Sequence, residues 1–292
     1  MSNHTLFPLW WLYVIGAVGR APAGPGFALV GAGCCDRRVC TAIVSVEPAS
    51  EYPVLLAGVR DEFHDRPWIP PGRHWPQYPR LVGGQDLLAS GTWLAVDPQA
   101  PRVSCVLNGR GPLAPESGRL SRGELPLRFA ATGAVDDLDL IRYDPFHLIC
   151  ATLTEVFLLS WNGERQERQE LSPGLHVVVN SGLEGSDPTA GPGTEAMAAR
   201  LGFFRPRLLA APRPRPVPRV ATDKAWGPWL PLLEGGGVDP LDDRALLVRR
   251  EFGERTWGTT SVTLVGLRSG GVRYDFSGAP GDAGAWTAVV ED

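Results

Sequence analysis

The sequence predicts an α+β protein built mostly from antiparallel β-sheet. Short runs rich in Val, Leu, Thr and aromatic residues are bounded by Gly, Pro and Asn, which is typical of strands. These runs outnumber the helical segments and do not alternate with them as in βαβ units. The composition is that of a globular protein, because 43% of the 292 residues are hydrophobic and 21% are charged. It excludes a disordered chain, and the net charge of −4 argues against a nucleic-acid-binding protein.

Eight runs have the residue types and lengths of β-strands. They are residues 40–46, 54–58, 93–96, 103–107, 148–159, 176–179, 261–267 and 272–276. Ser269, Gly270 and Gly271 separate the last two runs, and a turn signal in that position predicts a hairpin.

Three segments carry helical signals, at residues 123–131, 194–201 and 240–248. Ser121 and Glu124 at the start of the first segment have the spacing of a capping box. The third segment begins with proline and acidic residues, which favour the first turn of a helix. Residues 205–219 are rich in Pro and Arg, so we expect an exposed, extended connector there rather than a helix.

The first 38 residues differ in composition from the rest of the chain. The apolar run at 6–18 is shorter than a membrane span, and the residues before it lack the basic character of a signal peptide. Three alternatives remain: a misassigned start, a signal or anchor, and a structured extension. Val39 can be specified by GTG, a bacterial start codon. A single lysine, Lys224, beside abundant Arg, Gly and Pro indicates a GC-rich bacterial genome.

These observations predict the domain organisation and the compartment. We expect residues 1–38 to be a non-native leader or a signal-like segment, and residues 39–292 to form one domain. A start at residue 39 predicts a cytoplasmic protein, whereas a genuine signal at 6–18 predicts the cell envelope. The apolar run is too short for a stable membrane span.

The five cysteines do not form a disulfide framework, because their number is odd and their spacing irregular. Cys34, Cys35 and Cys40 do not have zinc-ligand spacing, and no metal site is predicted. Cys105 and Cys150 lie within apolar runs, which predicts buried structural thiols.

Cys40 has distinctive chemistry if it becomes the first residue of the mature chain. A free α-amine has a pKa of about 7.7–8.0, so it can take a proton from the thiol of the same residue and later return it to a leaving group. This mechanism requires a free amine, and an attached leader would block it.

Polar residues after three other strand-like runs are candidates for the same site. Arg60 and Asp61 begin a dense charged segment, which indicates either a salt-bridged turn or a site in which Arg60 lowers the pKa of a thiol and Asp61 orients the amine or Arg60. Asn108 and Asn180 follow apolar runs, where they indicate either turn residues or amide donors to an oxyanion. Trp93 is either a pocket or a core residue.

An ordered series of motifs extends from residue 40 to about residue 276. The motifs are Cys40-Thr41, Pro53-Val54-Leu55-Leu56-Ala57, Arg60-Asp61-Glu62-Phe63, Asp65-Arg66-Pro67, Gly83-Gly84-Gln85-Asp86, Gly91-Thr92-Trp93-Leu94, Leu107-Asn108 with Arg110, Ser121-Arg122-Gly123-Glu124-Leu125, Tyr143 with Phe146 and Leu148, Pro173-Gly174 before Asn180, and Trp257-Gly258-Thr259 with Ser261 and Thr263. In this series the sequence resembles the NRDE-motif family, also called the transport-and-Golgi-organisation-protein-2 family. Members of that family begin Met-Cys-Thr, which supports a start at residue 39.

The family is in turn similar to N-terminal-nucleophile hydrolases, and this resemblance implies a four-layer αββα sandwich. It implies Cys40 as the nucleophile, with Arg60, Asp61 and Asn180 as catalytic pocket residues. Asn108, Arg110 and Trp93 become candidates for substrate binding. Two positions depart from the family pattern: Val59 replaces an asparagine, and Thr260 replaces an arginine.

Three functions remain open from the sequence. The first is a thiol amidohydrolase that cleaves the C–N bond of a small amide or acts on a related acyl compound, without a cofactor. The second is a non-catalytic protein that binds or transports haem, lipid or acyl-CoA, and its candidate haem ligands are His64, His74, His147, His176 and Cys40. The third is a scaffold that has lost activity. Each of the first two predicts a small-molecule partner, and none predicts an oligomeric state.

Overall fold

Two antiparallel β-sheets lie face to face at the centre of the protein and carry helices on their outer faces. The computed structural model describes residues 40–185 and 194–291. These residues belong to one compact unit, residues 36–292. The predicted leader at 1–38 and the predicted start at Val39 lie outside the described residues.

The described part of the chain forms fifteen strands and four α-helices. The strands are β1 (Thr41–Val46), β2 (Val54–Phe63), β3 (Trp68–Gly72), β4 (Gly83–Asp86), β5 (Leu94–Asp97), β6 (Arg102–Asn108), β7 (Phe146–Ala151), β8 (Val156–Trp161), β9 (Gln166–Glu170), β10 (Gly174–Val179), β11 (Gly182–Leu183), β12 (Arg249–Phe252), β13 (Arg255–Arg268), β14 (Gly271–Ser277) and β15 (Trp286–Glu291). The helices are α1 (Leu125–Thr132), α2 (Thr194–Ala210), α3 (Thr222–Trp226) and α4 (Trp229–Leu233).

The larger sheet has the strand order β11-β10-β1-β2-β13-β14-β15, with β12 paired to β13. The smaller sheet has the order β5-β6-β7-β8-β9, and β3 and β4 form a separate hairpin. Strands β1 and β2 have the other sheet on one face and helices on the other, so both of their faces are buried, and their sequences are nearly continuous apolar runs. Period-2 alternation then decides which side chains face the other sheet and which face the helices.

The core between the sheets receives side chains from both of them. Ala42, Val44 and Leu56 of the larger sheet pack there against residues of the smaller sheet such as Leu94 and Ile149. This apolar layer ends where the polar residues of β2 begin, and the candidate site lies at that end.

The helices cover the two outer faces. On the larger sheet, alternate residues such as Ile43 and Leu55 pack against α2, α3 and α4, which contribute Phe204, Trp226 and Trp229. On the smaller sheet, Phe129 of α1 packs against strands β7 and β8. The protein is therefore an α+β, four-layer αββα sandwich with antiparallel sheets, as predicted. Within the described residues, no helix has both the length and the apolar character needed to cross a membrane.

Several predicted elements are confirmed with changed lengths. The hairpin around Gly270 joins β13 and β14, because Arg268 pairs with Gly271. The capping signal is real, since the Ser121 side chain accepts a hydrogen bond from the Gly123 amide at the start of a 3-10 turn that leads into α1. Cys105 and Cys150 are buried free thiols, as predicted.

The predicted helix at 240–248 is wrong, because the segment forms successive turns. Asp239 Oδ1 accepts a hydrogen bond from the Leu241 amide at 2.8 Å, and Asp242 Oδ1 accepts one from the Arg244 amide at 2.8 Å. These local side-chain bonds compete with the helical backbone pattern.

Two other segment predictions also need correction. The single run at 148–159 is divided into β7 and β8, since Thr152 Oγ1 accepts the amides of Thr154 and Glu155 and turns the chain. The connector at 205–219 begins as helix, because α2 continues through Pro206 to Ala210. Leu208 is only 1% exposed, and its burial in the helical layer offsets the backbone hydrogen bond that proline cannot make.

Candidate active site

Cys40 lies immediately before β1, at the end of the core between the sheets. Thr41 pairs with Val59 of β2 and with Val179 of β10, so the next positions along the ladders place Cys40 between Arg60 and Asn180. The Cys40 thiol donates a hydrogen bond to the backbone oxygen of Asp61 at 3.5 Å. The four predicted catalytic residues therefore lie close together at one end of β1, β2 and β10 in the larger sheet.

A cavity of about 730 Å³ opens above Cys40. Of the predicted site residues, its described lining includes Cys40, Arg60, Asp61, Trp93 and Asn108, but neither Asn180 nor Arg110. The described lining residues include no histidine.

Arg60 is held from three sides. Its Nη1 atom donates to Thr260 Oγ1 at 2.7 Å, and its Nη2 atom lies 3.4 Å from Asp86 Oδ2. The guanidinium carbon lies 4.7 Å from the centre of the Trp93 ring, a cation–π distance. The Thr260 hydroxyl reaches Arg60 because a β-bulge lies between Thr259 and Ser261, which makes Thr260 the additional residue of β13.

The Asp61 side chain points away from the cavity, towards the helical layer. Its Oδ1 atom accepts a 2.6 Å hydrogen bond from Thr259 Oγ1, and its Oδ2 atom lies 3.6 Å from Arg200 Nη1 of α2. Arg200 also donates to Thr41 Oγ1 at 2.8 Å, which connects α2 to the strand that follows Cys40. Burial raises the pKa of Asp61 to about 7, although the Arg200 charge and the Thr259 hydrogen bond act in the opposite direction.

The thiol of Cys40 is weakly acidic in this environment. Burial, together with the nearby charge of Asp61, raises its pKa to about 12, and the charge of Arg60 opposes this shift. Arg60 does lower the thiol pKa, as the sequence suggested, but burial raises the pKa by more than Arg60 lowers it. The thiol is therefore protonated near neutral pH, and it needs a base to become a nucleophile.

The two asparagines contact each other beside Cys40. The Asn180 Nδ2 atom donates a 2.8 Å hydrogen bond to the backbone oxygen of Asn108. This bond fixes the orientation of the Asn180 amide and uses one of its two N–H groups. The remaining N–H group is a candidate donor to a substrate carbonyl, and among the described residues the buried Asn180 Oδ1 atom has no hydrogen-bond partner.

Arg110 does not reach the Cys40 cavity. The chain turns after β6, where the Gly109 amide donates to the Pro145 oxygen, and Arg110 lines a separate cavity with His147. It donates to Thr194 Oγ1 at 3.2 Å. The other three candidate haem ligands, His64, His74 and His176, are likewise absent from the described lining of the Cys40 cavity, which leaves Cys40 alone there.

Glycines that the sequence analysis used only as family motifs shape the cavity wall. A Cβ atom on Gly84 would lie 2.3 Å from the Trp93 ring, so glycine gives that ring its space. A Cβ atom on Gly91 would lie 2.5 Å from the backbone of Gly123, where the β4–β5 connection crosses the 3-10 turn before α1. Sequence reasoning also assigned no role to Asp86 and Arg122, although both line the cavity.

The two departures from the family pattern have different surroundings. Val59 is 2% exposed and packs in the helical layer, so its side chain is on the sheet face opposite to Cys40. Thr260 is on the cavity side and contacts Arg60 directly. Of the two, Thr260 therefore belongs to the candidate site.

By its fold and its site, the protein is a four-layer α+β protein with a cysteine in the lining of a polar cavity. A family model described as "Transport and Golgi organisation 2" matches residues 39–202. The chain belongs to this family. A comparison with functionally characterised protein sequences gives no significant match.

Solved structures that resemble the protein include two hydrolases. A mutant conjugated bile acid hydrolase from Clostridium perfringens has 11% identity and a TM-score of 0.49, over 86% of this chain and 92% of that chain. An N-acylethanolamine-hydrolyzing acid amidase orthologue from Caenorhabditis elegans has 12% identity and a TM-score of 0.43, over 77% of this chain and 92% of that chain.

Proposed function

We propose that the protein is an amidohydrolase that uses Cys40 as its nucleophile after the α-amine of this residue is freed. The observation that carries the proposal is the position of Cys40. It precedes an inner strand, its thiol faces a cavity of about 730 Å³, and the register of β1 with β10 places Asn180 opposite it. The family match, which begins at residue 39, supports a mature chain that starts at Cys40.

The α-amine of Cys40 is the base that suits this cavity. The described lining offers no imidazole, and the Asp61 carboxylate points towards Arg200 rather than towards the thiol. A thiol with a pKa of about 12 must lose its proton during the attack. An α-amine on the same residue has a pKa of about 7.7–8.0 and is within reach directly or through one water.

The reaction then has two halves. The Cys40 Sγ atom bonds to the carbonyl carbon of the amide while its proton moves to the α-amine, and the carbonyl oxygen becomes an oxyanion. The C–N bond breaks as the α-ammonium returns the proton to the departing amine, which leaves a thioester on Cys40. Water, deprotonated by the same amine, attacks the thioester and releases a carboxylic acid and the free thiol.

The surrounding residues position these atoms. The free N–H of the Asn180 side chain is the candidate oxyanion donor, because its orientation is set in advance by the bond to Asn108. Arg60 and Trp93 form one wall, and the Thr260 hydroxyl keeps Arg60 in place. Of the candidate haem ligands, the described cavity lining includes Cys40, which the proposed reaction uses as its nucleophile, so we propose the hydrolase rather than the binding of haem, lipid or acyl-CoA.

A protease-cleavable linker placed directly before Cys40 tests the proposal on one preparation, before and after cleavage. The cleaved protein is incubated with a series of N-acyl p-nitroanilides, and intact mass reports an acyl group on Cys40 while absorbance reports turnover. We expect acylation and turnover only after cleavage, with loss of both in Cys40→Ala and retention in the matched Cys150→Ala variant. Equal activity before cleavage, or a cleaved protein that is never acylated, would refute the mechanism.

A further inference from the structure

Arg122 is a cavity-lining arginine whose hydrogen-bonding capacity is mostly unused. It lies in the 3-10 turn before α1 and lines the same cavity as Cys40. Its Nη1 atom donates to the backbone oxygen of Pro145 at 2.8 Å. Among the described residues this is its one hydrogen bond, and it makes no ion pair with them. A guanidinium has five N–H donors, so most of its fork is available to a ligand.

The other arginines of this cavity already have carboxylate partners. The pairs are Arg60 and Arg66 with Asp86, Arg119 with Asp144, and Arg255 with Asp65. Asp144 lies near enough to affect Arg122 electrostatically, but it is held by Arg119 at 3.5 Å and by the Ala114 amide at 3.1 Å. Arg122 is therefore the arginine in the described lining that lacks an anion.

The position of Arg122 is fixed by the backbone around it. The Gly123 oxygen accepts a 2.8 Å hydrogen bond from the Thr92 amide, and the Gly123 amide donates to Ser121 Oγ at 3.1 Å. The close approach of Gly91 to Gly123 allows this crossing. A half-buried guanidinium on such a support loses little conformational freedom when it binds a ligand.

We propose that Arg122 is the anion-binding residue of the cavity and that the molecule bound there carries a carboxylate. A planar carboxylate matches the guanidinium fork, and charge-assisted hydrogen bonds of this kind are the strong ones. Trp93, Leu88 and other apolar lining residues are available to the remainder of the molecule.

The inference rests on the proposed function only in treating the bound carboxylate as part of a substrate. The binding of a carboxylate is tested separately, in an experiment that needs no turnover. Iodoacetate and iodoacetamide alkylate a thiol in the same way, with formation of an S–C bond, loss of iodide and release of the thiol proton. The two reagents differ only in a carboxylate against a neutral amide. Their relative rates at Cys40 therefore report an anion site near the thiol.

The rates are measured on the full chain at pH 9 by mass spectrometry of the peptide that contains Cys40, and each ratio is normalised to that of glutathione. We expect Arg122→Gln to lower the iodoacetate-to-iodoacetamide ratio about tenfold, the lower range for a charge-assisted hydrogen bond. Arg122→Lys keeps the charge but lacks the planar fork, so its ratio should lie between those of the wild type and Arg122→Gln. The control Arg142→Gln removes an arginine that also donates to a backbone oxygen, that of Gly118, but is absent from the described cavity lining, and it should leave the ratio unchanged.

An unchanged ratio in Arg122→Gln overturns the inference, as does an equal fall in Arg142→Gln. If Cys40 reacts with neither reagent, calorimetric binding of hexanoate against hexanamide decides instead. We then expect hexanoate to bind more tightly in the wild type and to lose that preference in Arg122→Gln, and no preference in the wild type overturns the inference. A ratio that depends on Arg122 in a protein that cleaves no amide would refute the hydrolase and leave the carboxylate site intact.

Discussion

The substitution Asp61→Asn changes how the stability of the protein depends on pH. Asp61 is 5% exposed, and its carboxylate is in contact with Thr259 and Arg200 beneath Cys40. Asparagine has nearly the same shape and can still accept the Thr259 hydrogen bond, but it does not titrate. The comparison therefore isolates the proton of one buried carboxyl group.

The size and sign of the effect follow from the pKa of Asp61 in the two states. It is about 7 in the folded protein, against 3.8 for an ordinary aspartate. Each unit of difference corresponds to about 1.4 kcal/mol, so the proton on Asp61 contributes roughly 4 kcal/mol to the free energy of unfolding. Because the folded state holds the proton more tightly, this contribution is complete below about pH 4 and is lost as the pH rises to about 7.

Urea denaturation of the wild type and Asp61→Asn at intervals from pH 4 to pH 8.5 measures the difference. We expect the wild type to lose roughly 4 kcal/mol relative to the variant across this window. Asp65 is a control, because its exposed ion pair with Arg255 lowers its pKa and its contribution is lost on acidification, the opposite direction. Parallel stability curves for wild type and Asp61→Asn would refute the assignment of a raised pKa to this carboxyl.

Three further predictions concern stability. Asp275→Asn should lower the free energy of unfolding by roughly 3 kcal/mol, because it removes a negative charge beside the fully buried Arg273 side chain. Asp282→Asn is the exposed control, and an equal effect of both substitutions would contradict the reasoning. Gly91→Ala should lower the free energy of unfolding by about 1–3 kcal/mol, because the new Cβ atom would meet the backbone of Gly123. Gly202→Ala should raise it by up to about 1 kcal/mol, because the new Cβ atom in α2 meets open space. Equal melting temperatures for the two variants would contradict this prediction. Val59→Asn should cost about 1–3 kcal/mol by burying an amide in the helical layer, and a neutral result in chemical denaturation would show that a partner for the amide exists there.

The sequence predicted the strands of the central core well because strands covered by the other sheet on one face and by helices on the other are apolar on both faces. Residues 40–46 and 54–58 therefore had a strong signal, and the structure places them in β1 and β2. The helix predicted at 240–248 was wrong because its spacing of apolar residues is equally compatible with the turns that Asp239 and Asp242 impose. Local hydrogen bonds of that kind depend on side-chain rotamers, which periodicity does not report.

The candidate site was predictable only in part. Cys40, Arg60 and Asn180 are adjacent through strand register, and strand-end positions in the sequence indicated them. Arg110 was grouped with Asn108 because the two are close in sequence, but the turn after β6 separates them. Arg122 is more than 80 positions from Cys40, and only the crossing at Gly123 brings it to the same cavity, so no local pattern could indicate its role.

The inner position of β1 has a consequence for how this protein could diversify. Backbone hydrogen bonds to β2 and β10 hold β1 on both sides, so substitutions elsewhere hardly move the sulfur of Cys40. The walls come from separate connections, such as those around Trp93 and Arg122. New ligand preferences can therefore arise through substitution of single residues in these connections, while Cys40 keeps its position and its chemistry.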